Sequence, residues 1–164
     1  MFCLKRKSST ERSIKYIARY FVNLSKSGSK FIGITSSGNN KELQFFLCRK
    51  ICKEILYFNS SVALVDADRN TLPENSNFKI ISTNTDKVDN EVIMKILELK
   101  NKYDIVLFNV SSVLSNISSL DYLKTCDKVF SAERCMYTYY SDFENTLNKL
   151  KNNNLKLSGI LTIT

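Results

Sequence analysis

Two short apolar runs with a helical stretch between them set the pattern of the chain. Residues 31–35 read FIGIT, and Ser, Gly and Asn follow at once. Beyond them Leu43, Leu47, Ile51 and Ile55 recur at every fourth position. A second apolar run covers 62–65 and ends in Asp-Ala-Asp. An unbroken apolar run fits a strand buried on both faces, and helical periodicity between two such runs fits a crossover helix. The unit is therefore βαβ, with parallel strands and a right-handed crossover.

The alternation continues on both sides. Residues 10–24 predict a helix, with Thr10 placed to cap it and Ile14, Ile17, Phe21 and Leu24 as its apolar stripe. Residues 70–77, with the only proline, Pro73, predict a loop, and 78–81 a short strand. Val92, Ile93, Ile96, Leu97 and Leu99 give 89–100 a helical spacing. A strongly apolar strand is expected over 103–110, a serine- and asparagine-rich loop over 111–119, a short helix over 120–126 and a strand over 128–132. A helix over 139–152 places Phe143, Leu147 and Leu150 inward, and Leu157–Ile163 closes the sheet. The prediction is an α/β fold, a doubly wound, mainly parallel sheet with helices on both faces. There is no internal repeat. One domain spanning 1–164 is expected, with a basic segment and helix at about 1–25, and the chain is long enough to bury a core. Ligands in such sheets sit beyond the carboxyl ends of the strands, where residues 36–41, 66–69 and 109–112 converge.

The turn after the first strand, Ser36, Ser37, Gly38, Asn39, Asn40 and Lys41, is the candidate binding element. Short polar residues there bring backbone N–H groups and the positive end of a helix to one place, which favours anions. A phosphate loop of the GxxxxGK[ST] type adds a lysine for the β- and γ-phosphates and a hydroxyl for Mg²⁺. Here the turn has one glycine and no Gly-Lys-Ser/Thr follows. Lys41 fits either a phosphate contact or a solvated lysine of the first helical turn. Asp66 and Asp68 alternate at a strand end and fit either Mg²⁺ ligands or a carboxylate pair that caps the strand or pairs with Arg69.

In order along the chain, "FIGITSS", "VALVDADRN", "YDIVLFNVSSVLSN", "CDKVFSAERCMYT" and "LKLSGILTIT" match the successive strands of one family. The chain resembles the nucleotide-binding domain of bacterial tyrosine kinases of capsule and exopolysaccharide synthesis, relatives of the MinD/ParA-like ATPases. The resemblance covers roughly 11–164 and implies a P-loop NTPase-like sheet, with Asp66 and Asp68 as the counterparts of an aspartate pair that helps hold Mg²⁺ and activate the acceptor hydroxyl.

The departures are as informative. The position of the phosphate-loop lysine falls at Leu43 or Gln44, and that of the adjacent metal-ligating hydroxyl at Gln44 or Phe45. The aspartate that ends the third strand of the family is Asn109, followed by Val110, Ser111 and Ser112 in place of Thr-Pro-Pro. Residues 141–164 hold no tyrosine cluster like the one that ends the family's domain. Tyr137, Tyr139 and Tyr140 lie between a strand and a helix instead, as packing and surface tyrosines. The resemblance therefore implies a degenerate, catalytically inactive member, a regulatory or scaffolding partner in polysaccharide synthesis. In that reading Ser36, Ser37, Gly38, Asn39, Asn40 and Lys41 are a vestigial phosphate loop, Asp66 and Asp68 are vestigial, and no cofactor is expected. An active ATPase or tyrosine kinase with an atypical loop, binding ATP or ADP with Mg²⁺ weakly, is the alternative. A ParA-like module associated with nucleic acid or membrane is a third.

Charge changes this picture in one respect. The formal net charge is +8, and Lys5, Arg6, Lys7, Arg12, Lys15, Arg19, Lys26 and Lys30 crowd the first part of the chain. That region fits a solvated face or a contact for an anionic surface. By resemblance the partner is a membrane-anchored polysaccharide co-polymerase or modulator, with a homo-oligomer or an anionic membrane surface as further contacts. In the family a helix before the first strand carries Glu and Arg residues that help subunits pack, and here Glu11, Lys15 and Arg19 share a helical face at spacing four without matching the family's own spacing. Nucleic acid is not the expected partner. No apolar run is long enough to span a membrane and no signal peptide is apparent, so the expected place is the cytoplasm, at the inner face of the membrane in the partnered state. The chain has no histidine, which removes Ser-His-Asp and Cys-His catalysis. Its five cysteines, Cys48 and Cys52 one helical turn apart among them, fit reduced thiols better than a metal site.

Overall fold

A computed structural model describes residues 3–38, 40–67, 77–83 and 90–163. In chain order the elements are α1 (Cys3–Lys26), β1 (Phe31–Thr35), α2 (Lys41–Tyr57), β2 (Val62–Asp66), β3 (Lys79–Ser82) and α3 (Asn90–Lys102), then β4 (Ile105–Asn109), α4 (Ser119–Lys124), β5 (Lys128–Arg134), α5 (Tyr140–Asn152) and β6 (Leu157–Ile163). The six strands form one sheet in the order β3-β2-β4-β1-β5-β6, and each neighbouring pair is parallel. This is the doubly wound α/β arrangement expected from the alternation of runs. One expectation is corrected. α1 begins at Cys3, so Thr10 lies inside the helix and does not cap it. Residues 3–9 contain neither glycine nor proline, and nothing there stops the helix from extending upstream. The loop around Pro73 lies outside the described residues.

The central strands β1, β2 and β4 are buried at every position because both faces of the sheet are covered. On one face Ile32, Ile34, Leu64 and Leu107 pack against Ala18 and Phe21 of α1 and Ile51 and Ile55 of α2. On the other, Phe31, Val65, Val106 and Phe108 pack with Ile96 of α3, Leu123 of α4 and Leu150 of α5. Burying each large aliphatic or aromatic side chain contributes about 1.5–3 kcal/mol, so the two layers together dominate the stability of the fold. Ring contacts set the spacing on each side, Phe21 with Phe130 at 5.0 Å and Phe31 with Phe108 at 5.3 Å between centroids.

The amino-terminal ends of the strands are closed by carboxylates. Asp127 accepts a hydrogen bond from the Phe31 N–H at 2.8 Å. Asp104 accepts from both the backbone N–H and the hydroxyl of Ser61, each at 2.8 Å. Those two bonds, with a smaller contribution from Lys30, hold the Asp104 carboxyl below the usual carboxylate range.

Gly33 is fixed by close approach. A Cβ at this position would lie 2.8 Å from Leu123 Cδ2 and 2.9 Å from Cys126 Sγ, so α4 and the residues after it rest directly on the β1 backbone. We expect Gly33→Ala to destabilise the fold by about 1–3 kcal/mol through overpacking. Urea denaturation measures this directly. An unchanged midpoint would mean that the α4 segment moves aside freely.

Candidate functional site

β1, β2 and β4 end side by side, and the segments that follow them are tied together. The Val110 N–H donates to the Ile34 carbonyl at 2.9 Å, and the Ala67 N–H to the Asn109 carbonyl at 3.0 Å. The Thr35 hydroxyl donates to the Ser111 carbonyl at 2.9 Å, and the Ser112 hydroxyl reaches the Ser37 carbonyl at 3.5 Å. The segments expected to converge here do so as far as they are described. Asn39, Asp68 and Arg69 lie outside the described residues.

α2 starts from this point. The first helical bond runs from the Gln44 N–H to the Asn40 carbonyl at 2.9 Å. Asn40 occupies the cap position, but its side chain makes no capping bond. Lys41 and Glu42 are exposed on the first turn, and Leu43 is half-buried. Gln44 is only 2% exposed. Its Nε2 amide donates to the Ile34 carbonyl at 2.8 Å and to the Val110 carbonyl at 2.9 Å. The sequence position at which the resemblance places a lysine or a metal-ligating hydroxyl is therefore used to join the ends of β1 and β4.

The turn itself is folded onto its own chain. The Ser36 hydroxyl donates to the Gly38 carbonyl at 2.9 Å. Ser37 turns both its N–H, at 3.0 Å, and its hydroxyl, at 2.8 Å, to Oε1 of Glu133. The Ser131 hydroxyl makes a very short contact with the same oxygen. Ser131 and Glu133 are two residues apart on β5, so strand alternation puts them on one face. Sequence reasoning missed Glu133. The available signal was an acidic residue one place beyond an apolar run, at the carboxyl end of a strand in a sheet of this type.

A second polar chain lies beneath α2. Asp66 and Asn109 are cross-strand partners in register. The Asn109 Nδ2 donates to Asp66 Oδ1 at 2.9 Å, and the Cys48 thiol faces Asn109 Oδ1 at 3.7 Å. Asp66 and Asn109 are each 1% exposed. Burial pushes the Cys48 thiol well up, with Cys52 and the Asp66 carboxylate adding to the shift, and burial alone pushes Cys52 up. These thiols stay protonated and unreactive at neutral pH. Among the described residues no group of three or more His, Cys, Asp or Glu side chains is placed to hold a metal ion. Tyr137, Tyr139 and Tyr140 are exposed, and the Arg134 guanidinium stacks 3.8 Å from the Tyr137 ring centre.

Solved structures give this arrangement a context. The BceF tyrosine kinase domain superposes with a TM-score of 0.76 at 13% identity, over 93% of this chain and 76% of that one. The VpsO kinase domain gives 0.71 at 11%, over 99% and 98%. The chain has the fold of the bacterial tyrosine kinase domains. The kinase domain of the Escherichia coli tyrosine kinase ETK agrees, with a TM-score of 0.66 at 14% identity over 82% of this chain and 67% of that one. No family model matches the chain, and no curated protein sequence does. The kinase-domain fold was thus legible in the order of the strand motifs, at identities too low to carry residue roles across.

Within this kinase-domain fold, Gln44 is open to a direct test. Gln44→Leu keeps the size of the side chain and removes both donors from the buried carbonyls of Ile34 and Val110. We expect a loss of about 1–3 kcal/mol, which for a chain of this length lowers Tm by several degrees. A Tm equal to that of the unsubstituted protein would show that the two bonds contribute nothing.

Proposed function

We propose that this chain uses a tyrosine-kinase-like fold to bind a partner and does not transfer phosphoryl groups. The observation that carries the reading is the engagement of Gln44. Phosphoryl transfer in P-loop enzymes depends on a lysine at the β- and γ-phosphates and on Mg²⁺ held by a hydroxyl and a carboxylate. Leu43 offers no charge, and the Gln44 amide is committed to two main-chain carbonyls. Asn109 stands where the resemblance places a carboxylate, and its amide holds Asp66. The residues present do not fit a bound Mg–nucleotide, because the lysine, hydroxyl and carboxylate that would hold it are replaced by the neutral Leu43 or Gln44, Gln44 or Phe45, and Asn109. Groups that act as a unit lose most of their effect when one is lost, and here several are replaced together.

The expected result is no ATP hydrolysis and no tyrosine phosphorylation above background by the purified chain with Mg²⁺. A turnover assay decides it. Robust turnover abolished by Asp66→Ala would overturn the proposal.

The partner that fits is the cytoplasmic segment of a membrane-anchored protein of polysaccharide synthesis, met by the basic face of α1 at the inner side of the membrane. Arg12, Lys15 and Arg19 are exposed on that helix. No helix among the described residues is long and apolar enough to cross a membrane, so in this reading a membrane location depends on the partner. Charge reversal of Lys15 and Arg19 to Glu should weaken co-purification with such a segment and flatten its salt dependence. Unchanged co-purification would place the contact elsewhere.

A further inference from the structure

The turn before α2 lies between the end of a buried strand and the first turn of a helix, a place that favours anions, and a carboxylate of the chain reaches it. Glu133 reaches the turn from β5, 96 residues away in sequence. Its Oε1 takes three donors, the Ser37 N–H, the Ser37 hydroxyl and the Ser131 hydroxyl. Its side chain is 8% exposed, and Oε2 is buried with no hydrogen-bond partner. Nothing local demands this arrangement. Glu133 is the penultimate residue of a strand, and its place in the ladder, opposite Thr162 of β6, would be filled as well by an apolar residue.

We infer that Glu133 is the resident anion of the loop, a carboxylate held in place of a phosphate, and that it closes the site to phosphate-class ligands. The inference deepens the binding-only reading and rests on it. Two effects act together. The Ser37 N–H, one of the donors a phosphate oxygen would need, is already used in a charge-assisted bond. A phosphate brought to the same turn would meet a like charge in a poorly screened place, where repulsion is far stronger than in water. Glu133 lies on β5, outside the loop, so sequence comparison along the loop itself does not reveal it.

The test is binding of inorganic pyrophosphate, without Mg²⁺, by isothermal titration to the unsubstituted chain and to Glu133→Gln and Glu133→Ala. Glu133→Gln removes the charge and keeps the shape, and Glu133→Ala also frees the Ser37 N–H. We expect both variants to bind pyrophosphate about tenfold or more tightly than the parent chain, with Glu133→Ala the tighter. Equal affinity in all three would overturn the inference, and so would tight binding by the parent chain. Should either Glu133 variant fail to give a folded circular-dichroism spectrum, Glu133→Thr takes its place. That substitution removes the charge and keeps a residue suited to a strand, and no gain in affinity would overturn the inference. The outcome is separable from the turnover assay. Hydrolysis of ATP by the parent chain would end the binding-only reading, whereas equal pyrophosphate affinities would end only the role given to Glu133.

Discussion

The carboxyl ends of buried parallel strands impose the constraint on which the rest of this structure depends. Where the ladder stops, carbonyl and N–H groups remain inside the molecule with no further strand to pair them. An unpaired buried group costs about 1–3 kcal/mol, comparable to a sizeable share of the stability of a domain. In this chain the rim is closed from within. Gln44 joins Ile34 to Val110, Thr35 reaches Ser111, and Asn109 holds Asp66. Each of these polar residues is nearly inaccessible to solvent. The rim is therefore part of the core, and the site cannot be altered without altering what holds the strand ends together.

The sheet was readable from the sequence because its strands are buried on both faces. Such strands leave continuous apolar runs that stand out against the period of the helices, and Phe31–Thr35 and Leu157–Ile163 match residue for residue. The boundaries that shifted did so where polarity and structure part company. β5 was expected to stop at Ala132, yet its pairing continues through Glu133 with Thr162 and Arg134 with Ile163. A hydrophobic pattern ends at the first polar residue, while a ladder ends only when the backbone turns away. β4 erred in the other direction, since Val110 is apolar but already belongs to the turn.

The site was legible in its position and in what it lacks, and much less in what fills it. The turn between β1 and α2 was found from the strand–turn–helix grammar, and the neutral Leu43 and Gln44 from the sequence itself. That the Gln44 amide would bridge two strands was not readable, because its acceptors are main-chain carbonyls and carry no sequence signal. The pairing of Ser37 with Glu133 joins residues far apart in the chain. Asp66 was expected, with Asp68, either to hold a metal or to cap the strand or pair with Arg69, and Asp68 and Arg69 lie outside the described residues. The described bond to Asn109 follows from β2 and β4 being neighbours, a fact of strand order and not of local spacing.

Net charge and local charge also separate here. A chain carrying +8 attracts anions over distances set by the screening length, about 8–10 Å at physiological ionic strength. That attraction brings a polyanion towards the surface but does not choose where it comes to rest. The last few ångströms belong to nearby groups in a poorly polarisable setting, and at the loop the decisive group is the carboxylate of Glu133. At α1, by contrast, Arg12, Lys15 and Arg19 stand in solvent, with Glu11 exposed on the same helix. In a fold that kinase domains also have, this chain's own residues take up the bonds at the strand ends.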